Sequence, residues 1–475
     1  MNKEHRQSIV IGSGPGGYAA AFYLADHGHS VTLIEKEDLG GVCLNRGCIP
    51  SKALLNIAGT IDKTAKGKDQ GLTFSKPKID LDTMREWKNS VVEKLRSGVA
   101  GLAKARKVDV IQGRAVFDDA ATLRVETGDT QTFYTFDNLI IATGSRPMVP
   151  GVMDLGNPRI MTSTEALDIE DIPNVLLVVG GGYIGMELGS VYASLGSKVS
   201  VVEALPEILA GADSDLVKVF QKYVSKKMDE MMLSHKVKKM ATKGKKIEVE
   251  METPDNKTIK KQYDKVLVSV GRLPNSDDLA LDNTDIQLDE RGCIKINDQC
   301  QTAVPNIYAI GDVAGGIQLA HKATKEAKIA AETILGNPTL PLAEFVIPAV
   351  VFTDPEIAWV GLTEKEAKAD GITVDVSKFP WTASGRALTL NRTEGLTKVV
   401  SDPATGRVLG VGIVGDHAGD LISEAVMVVQ SGMTVVDLAE SIHPHPTLSE
   451  SLMESAENAL GHCTHMMPSK KLTHI

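Results

Sequence analysis

The chain has 475 residues, too many for one ordinary hydrophobic core and enough for about three units. Its 43% hydrophobic and 24% charged residues are the balance of a globular protein. A formal net charge of −10, with no basic run interleaved with aromatics, argues against nucleic acid as the main ligand.

The N-terminal stretch leads straight into a short apolar run and glycine, without the longer apolar segment of a signal peptide. No uninterrupted apolar run reaches the roughly 18 residues of a membrane span. The expectation is therefore a bacterial-type cytoplasmic location with no membrane span and no nucleic acid partner. The five cysteines, Cys43, Cys48, Cys293, Cys300 and Cys463, are odd in number and scattered, unlike a secreted disulfide framework.

In chain order, Ser8-Ile9-Val10-Ile11 reads as a buried strand that runs into Gly12-Ser13-Gly14-Pro15-Gly16-Gly17. A helical pattern follows at Tyr18, Ala21, Phe22, Leu24 and Ala25, then a strand over 30–34 that ends at Glu35. Gly12 permits the tight turn, Gly14 lets backbone approach a pyrophosphate, and Gly17 lets helix and strand pack closely. The helix N-terminus offers free N–H groups to phosphate, and Glu35 is placed to accept hydrogen bonds from ribose hydroxyls.

Directly after this unit comes Gly40-Gly41-Val42-Cys43-Leu44-Asn45-Arg46-Gly47-Cys48-Ile49-Pro50-Ser51-Lys52. On a regular helix, residues five apart lie on different faces, too far for an unstrained disulfide, so closing Cys43 to Cys48 requires an irregular turn. Gly47 gives the chain that freedom. Pro50 suits the first turn of a following helix, whose N-terminal dipole would stabilise a thiolate on Cys48. Redox chemistry is the favoured reading; half of a zinc site and two unpaired thiols are the alternatives.

The run Leu139-Ile140-Ile141-Ala142-Thr143-Gly144 reads as a strand returning to a nucleotide site. A second unit then repeats the plan of the first. A strand at 175–179 meets Gly180-Gly181-Gly182-Tyr183-Ile184-Gly185, a helix follows to Leu195, and a strand over 198–202 ends at Glu203. Two such units imply two dinucleotides. An acid at 203 with no nearby Arg favours NAD over NADP. Val266-Leu267-Val268-Ser269-Val270-Gly271 is another return strand, and Ile307-Tyr308-Ala309-Ile310-Gly311-Asp312 would put Asp312 at a strand's carboxyl end, able to bind a polyol chain.

From about Phe345 the glycine fingerprints stop, and alternating segments at 398–400 and 411–414 mix with a helix over 420–431, which reads as a separate α+β domain. Hinges are expected near Pro147–Pro150, Pro274 and Pro341, making the first domain discontinuous with the second inserted into it. Ser441-Ile442-His443-Pro444-His445-Pro446-Thr447-Leu448-Ser449-Glu450 supplies a base: thiol chemistry at neutral pH needs a group titrating near 7, and a carboxylate can hold the other ring nitrogen. The segment after Gly461, with Cys463 and three further histidines, and the polar end at 468–475 fit none of these motifs.

In this order the fingerprint, the CxxxxC pair, the Ala-Thr-Gly return, the second fingerprint, Gly311-Asp312 and His445-Pro446-Thr447 resemble the pyridine nucleotide–disulfide oxidoreductase family over nearly the whole chain. The resemblance implies an α/β fold: two Rossmann-like dinucleotide-binding domains plus an α+β C-terminal dimerisation domain. The expected segments are 1–150 and 275–344 for the FAD domain, 151–274 for the NAD domain and 345–475 for the dimerisation domain.

Within the family, the cysteine segment, Leu319-Ala320-His321-Lys322-Ala323 and His443 to Glu450 are most similar to members acting on dihydrolipoamide; Pro444 departs from the more usual Ala. The resemblance implies a redox-active disulfide in which Cys43 meets substrate and Cys48 faces the flavin, with His445 and Glu450 acting on the disulfide of the other subunit of a homodimer. It implies FAD held by Gly12, Gly14, Gly17, Glu35, Lys52, Thr143, Gly144, Asp312 and Ala320. NAD falls to Gly180, Gly182, Gly185, Glu187, Glu203 and Gly271, with Glu187 also pairing Lys52, a cis peptide before Pro446, and no metal. Partners would be the lipoyl domains and acyltransferase core of 2-oxoacid dehydrogenase complexes. Rival readings are a glutathione- or mercuric-type reductase, against which stand Glu203 without Arg and the lack of a C-terminal vicinal cysteine pair, and a non-catalytic scaffold subunit.

Overall fold

The apolar runs at 8–11, 31–34 and 139–141 can satisfy their buried backbone groups only by pairing with other strands, and they pair with one another in parallel. The computed structural model, which describes residues 3–337 and 339–467, places Lys3–Ile11 between Val31–Glu35 and Thr130–Ile141. Ile11 lies opposite both Ile34 and Ile141. Asp109–Gln112 extends the sheet beyond Val31–Glu35. On the other side Ile307–Ala309 comes back from much later in the chain to pair with Leu139, Ile140 and Ile141. The helix Pro15–Asp26 packs on this sheet beside Ala320–Ile334, the contact being lined by Ala20, Ala21, Ala327, Ala330 and Ala331, whose short side chains let the backbones come close.

The second unit repeats this with Val175–Val179 at the centre of five parallel strands, flanked by Lys198–Val202 and Lys265–Val268. A three-stranded antiparallel meander, Lys236–Lys243, Lys246–Glu252 and Thr258–Tyr263, covers one side. In its central strand Ile247, Val249 and Met251 are fully buried while the glutamates between them face outward, the period-two alternation of a half-solvated sheet. The chain enters and leaves this unit through one antiparallel ribbon, Ser145–Pro147 against Arg272–Pro274, close to the hinges read from the prolines.

The C-terminal unit is a five-stranded antiparallel sheet in the order Ala349–Val351, Glu356–Gly361, Val408–Gly415, Leu396–Ser401, Asp375–Pro380. Helices Ala418–Gln430 and Glu450–Leu460 pack on it, the first beginning two residues before the expected start. Among the described residues no helix is long and apolar enough to cross a membrane. The polar segment at 468–475 lies outside the described residues.

One ion cluster fastens the C-terminal unit to the inserted one. Lys398, 1% exposed, reaches Asp213 at 2.9 Å, Asp215 at 3.1 Å and Glu364 at 2.5 Å. Lys378 also reaches Asp215 and Glu364, but the buried Asp213 would lose its ammonium partner once Lys398 is gone. Lys398→Met should therefore destabilise the protein by roughly 3–5 kcal/mol, the usual cost of breaking a buried pair on one side. The check is the midpoint of chemical denaturation of the purified variant against the parent; an unchanged midpoint would contradict the role given to Lys398.

Candidate active site

At both fingerprints the glycines divide the work as their spacing predicts. Gly12 and Gly180 have φ of +95° and +103°, and a side chain on either would collide with a carbonyl of the neighbouring strand, Ala142 O or Ser269 O. A side chain on Gly17 or Gly185 would run into the carbonyl of that first glycine, so helix and turn are in direct contact. Beside Gly14 and Gly182, by contrast, no atom lies within 4 Å of where a Cβ would be. That open space is at the helix N-termini of Pro15–Asp26 and Tyr183–Leu195, where unpaired N–H groups favour phosphate. The terminal acids match as well: Glu35 accepts from Ser13 N at 2.8 Å, and Glu203 from Gly181 N at 2.6 Å. Both units thus have the shape and donors that a dinucleotide requires.

The cysteine segment is seated on the first fingerprint. A Cβ on Gly41 would lie 2.5 Å from Gly14 Cα, so only glycine lets the short helix Gly41–Arg46 begin there. That helix stops at Gly47, and a new one, Cys48–Lys66, starts at once. A Cβ on Gly47 would lie 2.9 Å from Val42 O and 3.2 Å from Cys43 Cα, which shows how sharply the chain folds back. The irregular turn expected from the five-residue spacing is this break, and it brings two residues from different helices together. The two cysteines stand here as free thiols, the reduced form of a reversible pair. Their mutual interaction sets them apart: together with the Lys52 charge it holds the Cys48 thiol down at about 7 against the burial that pushes it up, while the same interaction and burial push the Cys43 thiol up. The N-terminal dipole of Cys48–Lys66 acts in the same direction on Cys48.

One cavity of about 1230 Å³ joins these parts. Gly12, Gly14, Glu35, Cys43, Cys48, Lys52, Thr143, Gly144, Asp312 and Ala320 all line it, which brings every expected FAD residue except the packed Gly17 into one space. Tyr183, Ile184 and Glu187 reach the same cavity from the second fingerprint helix. Glu187, expected on the NAD side, has its carboxylate already engaged: Lys52 Nζ donates to it at 2.8 and 3.1 Å, Ser51 Oγ at 2.8 Å and Phe352 N at 3.0 Å. It serves as the partner of Lys52, whose ammonium also sits 4.5 Å from the Phe352 ring centre.

Asp312 lies at the carboxyl end of Ile307–Ala309, bonded to Ser145 Oγ, with Arg272 Nε 2.7 Å from the same hydroxyl. Asn275 closes on Thr143 through bonds of 2.8 and 2.9 Å. Ser145, Arg272 and Asn275 were not singled out from the sequence. They lie on the crossing ribbon or one residue beyond it, and only pairing of that ribbon brings them to the site.

His445 is placed apart from the cavity within its own chain. Its Nδ1 is 2.8 Å from Glu450 Oε1, and Thr447 N donates to the other carboxylate oxygen at 2.7 Å. Glu450 opens the helix Glu450–Leu460, and the His445–Pro446 peptide is cis. The imidazole is 70% exposed, so Nε2 is presented outward. His443, also not assigned a role from the sequence, is buried and bonded to Glu424 at 2.7 Å, which raises its pKa. Gly271 stands at the start of the return ribbon with φ of +147°.

Residues 6–327 match the pyridine nucleotide-disulphide oxidoreductase family, and residues 347–456 match the dimerisation domain of that family. The chain belongs to this family. The dihydrolipoyl dehydrogenase of Geobacillus stearothermophilus is 46% identical over 463 residues, covering 97% of this chain and 97% of the relative. That of Bacillus subtilis is 45% identical over 466 residues, again 97% of each. Among solved structures, the Cu(II) complex of the HOCl-induced flavoprotein disulfide reductase RclA from Escherichia coli has a TM-score of 0.86 at 30% identity, over 96% of this chain and 99% of that one.

The unequal thiols give a pH prediction. As pH rises through about 7, Cys48 loses its proton and a thiolate-to-flavin absorption band should grow in the reduced enzyme; below that pH it should fade. Cys43→Ser should keep the band at neutral pH and Cys48→Ser should lack it. The reverse pattern in the two variants would reassign the thiolate.

Proposed function

We propose that this chain is an NAD-dependent flavoprotein that oxidises dihydrolipoamide to lipoamide. The observation that carries the reading is the Cys43–Cys48 pair, two thiols set across the helix break at Gly47 and lining the cavity of the first fingerprint. Dihydrolipoyl dehydrogenases at 42–46% identity over nearly the full length support the substrate.

In the oxidised enzyme Cys43 and Cys48 share a sulfur–sulfur bond. His445 Nε2 takes the proton of one substrate thiol, and the thiolate attacks Cys43 Sγ. The bond to Cys48 breaks, Cys48 leaves as the thiolate that Lys52 and the helix dipole favour, and a mixed disulfide with Cys43 forms. The second substrate thiol then closes the lipoamide ring and releases Cys43 as a thiol. Glu450 holds Nδ1 and so keeps Nε2 as the working nitrogen. FAD held at the first fingerprint by Gly14, Glu35 and Asp312 would supply a two-electron acceptor for this dithiol and a hydride donor to NAD.

His445 does not line its own chain's cavity, and the chain carries the family's dimerisation domain, so in this reading it serves the disulfide of a second subunit. Ile442, 99% exposed three residues before His445, is an apolar surface that such an interface would cover. Glu203, bonded to Gly181 N and Leu205 N, would accept the ribose hydroxyls of NAD and repel a 2′-phosphate. The units in this reading are 1–150 with 275–344, 151–274, and 345–475. Docking on the acyltransferase core of a 2-oxoacid dehydrogenase complex, in the cytoplasm, completes it.

His445→Ala should lose about 10²–10⁴ in turnover of lipoamide, the usual share of a general base. Cys43→Ser should abolish lipoamide turnover while electron transfer from NADH to an artificial acceptor persists. Both are read by steady-state assay, and lipoamide turnover surviving either change would refute the assignment. The resemblance to RclA supports one second reading, a flavin reductase acting on another disulfide. Parallel assays with lipoamide and glutathione disulfide, each with NADH and NADPH, separate the two: the proposal requires lipoamide with NADH to be preferred.

A further inference from the structure

The segment after Gly461, left over by the motifs, folds back on the helix that carries Glu450. Glu454 and Glu457 lie one turn apart on that helix and so share a face. Gly461, with φ of +83°, ends the helix and reverses the chain. Cys463, 8% exposed, then donates to Glu454 Oε2 at 2.8 Å, and the His465 ring bonds the other oxygen of the same carboxylate.

One ligand atom each from Glu454, Glu457 and Cys463 lie within 4.8 Å of one another. Glu457 Oε2 is buried and has no hydrogen-bond partner among the described residues. His465 serves Glu454 from one side, but Glu457 Oε2 beside Cys463 is left without a partner among the described residues.

We propose that Glu454, Glu457 and Cys463 bind a divalent cation of the zinc type, at a site separate from the redox pair. One sulfur and two carboxylate oxygens, with a fourth position left to water, make a donor set of borderline softness, which suits zinc or cobalt and does not suit magnesium or calcium. Binding releases the Cys463 thiol proton to solvent and forms a metal–sulfur bond; no oxidation is involved. Tetrahedral coordination sets sulfur and oxygen about 3.6 Å apart, so Cys463 and Glu454 must part slightly, a shift within the rotamer freedom of a glutamate. The cation would pin 463–465 to the helix whose first residue holds His445.

The test is titration of the full-length, flavin-loaded, oxidised enzyme with cobalt(II), the redox cysteines then being joined and unable to compete. One cobalt per chain with a thiolate-to-cobalt absorption band is expected, and zinc should displace it. Cys463→Ser should lose the band, and Glu457→Gln should keep the band but weaken Kd by roughly 100-fold, about one ligand's share of a structural zinc site. Absence of stoichiometric uptake, or a band that persists in Cys463→Ser, would overturn the proposal. Should Cys463→Ser fail to fold, equal affinity in Glu457→Gln and the parent would overturn it alone.

Discussion

A single buried carboxylate joins the three units at the place where the chemistry happens. Glu187 belongs to the second fingerprint helix, yet its oxygens are taken by Lys52 and Ser51 from the cysteine helix and by Phe352 N from the C-terminal unit. Removing a carboxylate from water costs several kcal/mol in a real protein, and here a full set of charge-assisted bonds offsets that cost. Such a group tolerates no loose partner, so it fixes the relative position of all three. The apolar core says the same: Leu54 and Ala58 of the cysteine helix, Met186 and Val191 of the inserted unit, and Val351, Ile357 and Val414 of the C-terminal sheet form one continuous cluster.

With that frame set, the sulfur chemistry follows from two close approaches. Gly41 rests against Gly14, so the cysteine segment is fixed to the nucleotide turn itself; Gly47 rests against Val42 and Cys43, so the two sulfurs meet at a helix break. The asymmetry between them comes from position: Cys48 has the helix N-terminus and Lys52, while Cys43 is left to donate. In the proposed reaction the sulfur that is attacked and the sulfur that departs are distinguished by environment alone.

What the sequence disclosed were features carried by neighbouring residues. Both fingerprints, the helix break at Gly47, Asp312 at a strand end and the His445–Glu450 dyad each need only a few consecutive positions. The engagement of Glu187 was implied by family resemblance and not by local pattern, though an acid inside the apolar helical stretch Gly185-Met186-Glu187-Leu188 is itself a signal of a buried partner. The Ser145–Arg272–Asp312 contact, the closure of Asn275 on Thr143 and the Lys398 cluster depend on segments that approach only after the whole chain has folded. The antiparallel meander was legible in principle, since Ile247, Val249 and Met251 alternate strictly with glutamates.

The crossing ribbon also bears on how the protein is made. The strand that completes the first sheet, Ile307–Ala309, leaves the ribosome only after the entire inserted unit, so Leu139–Ile141 waits during synthesis with one edge unpaired. Because Ser145–Pro147 and Arg272–Pro274 run side by side, a folded inserted unit holds its two ends together and turns a distant closure into a short one. Biosynthetic order and topology are thereby compatible: once folded, the inserted unit brings the missing strand back to the waiting edge.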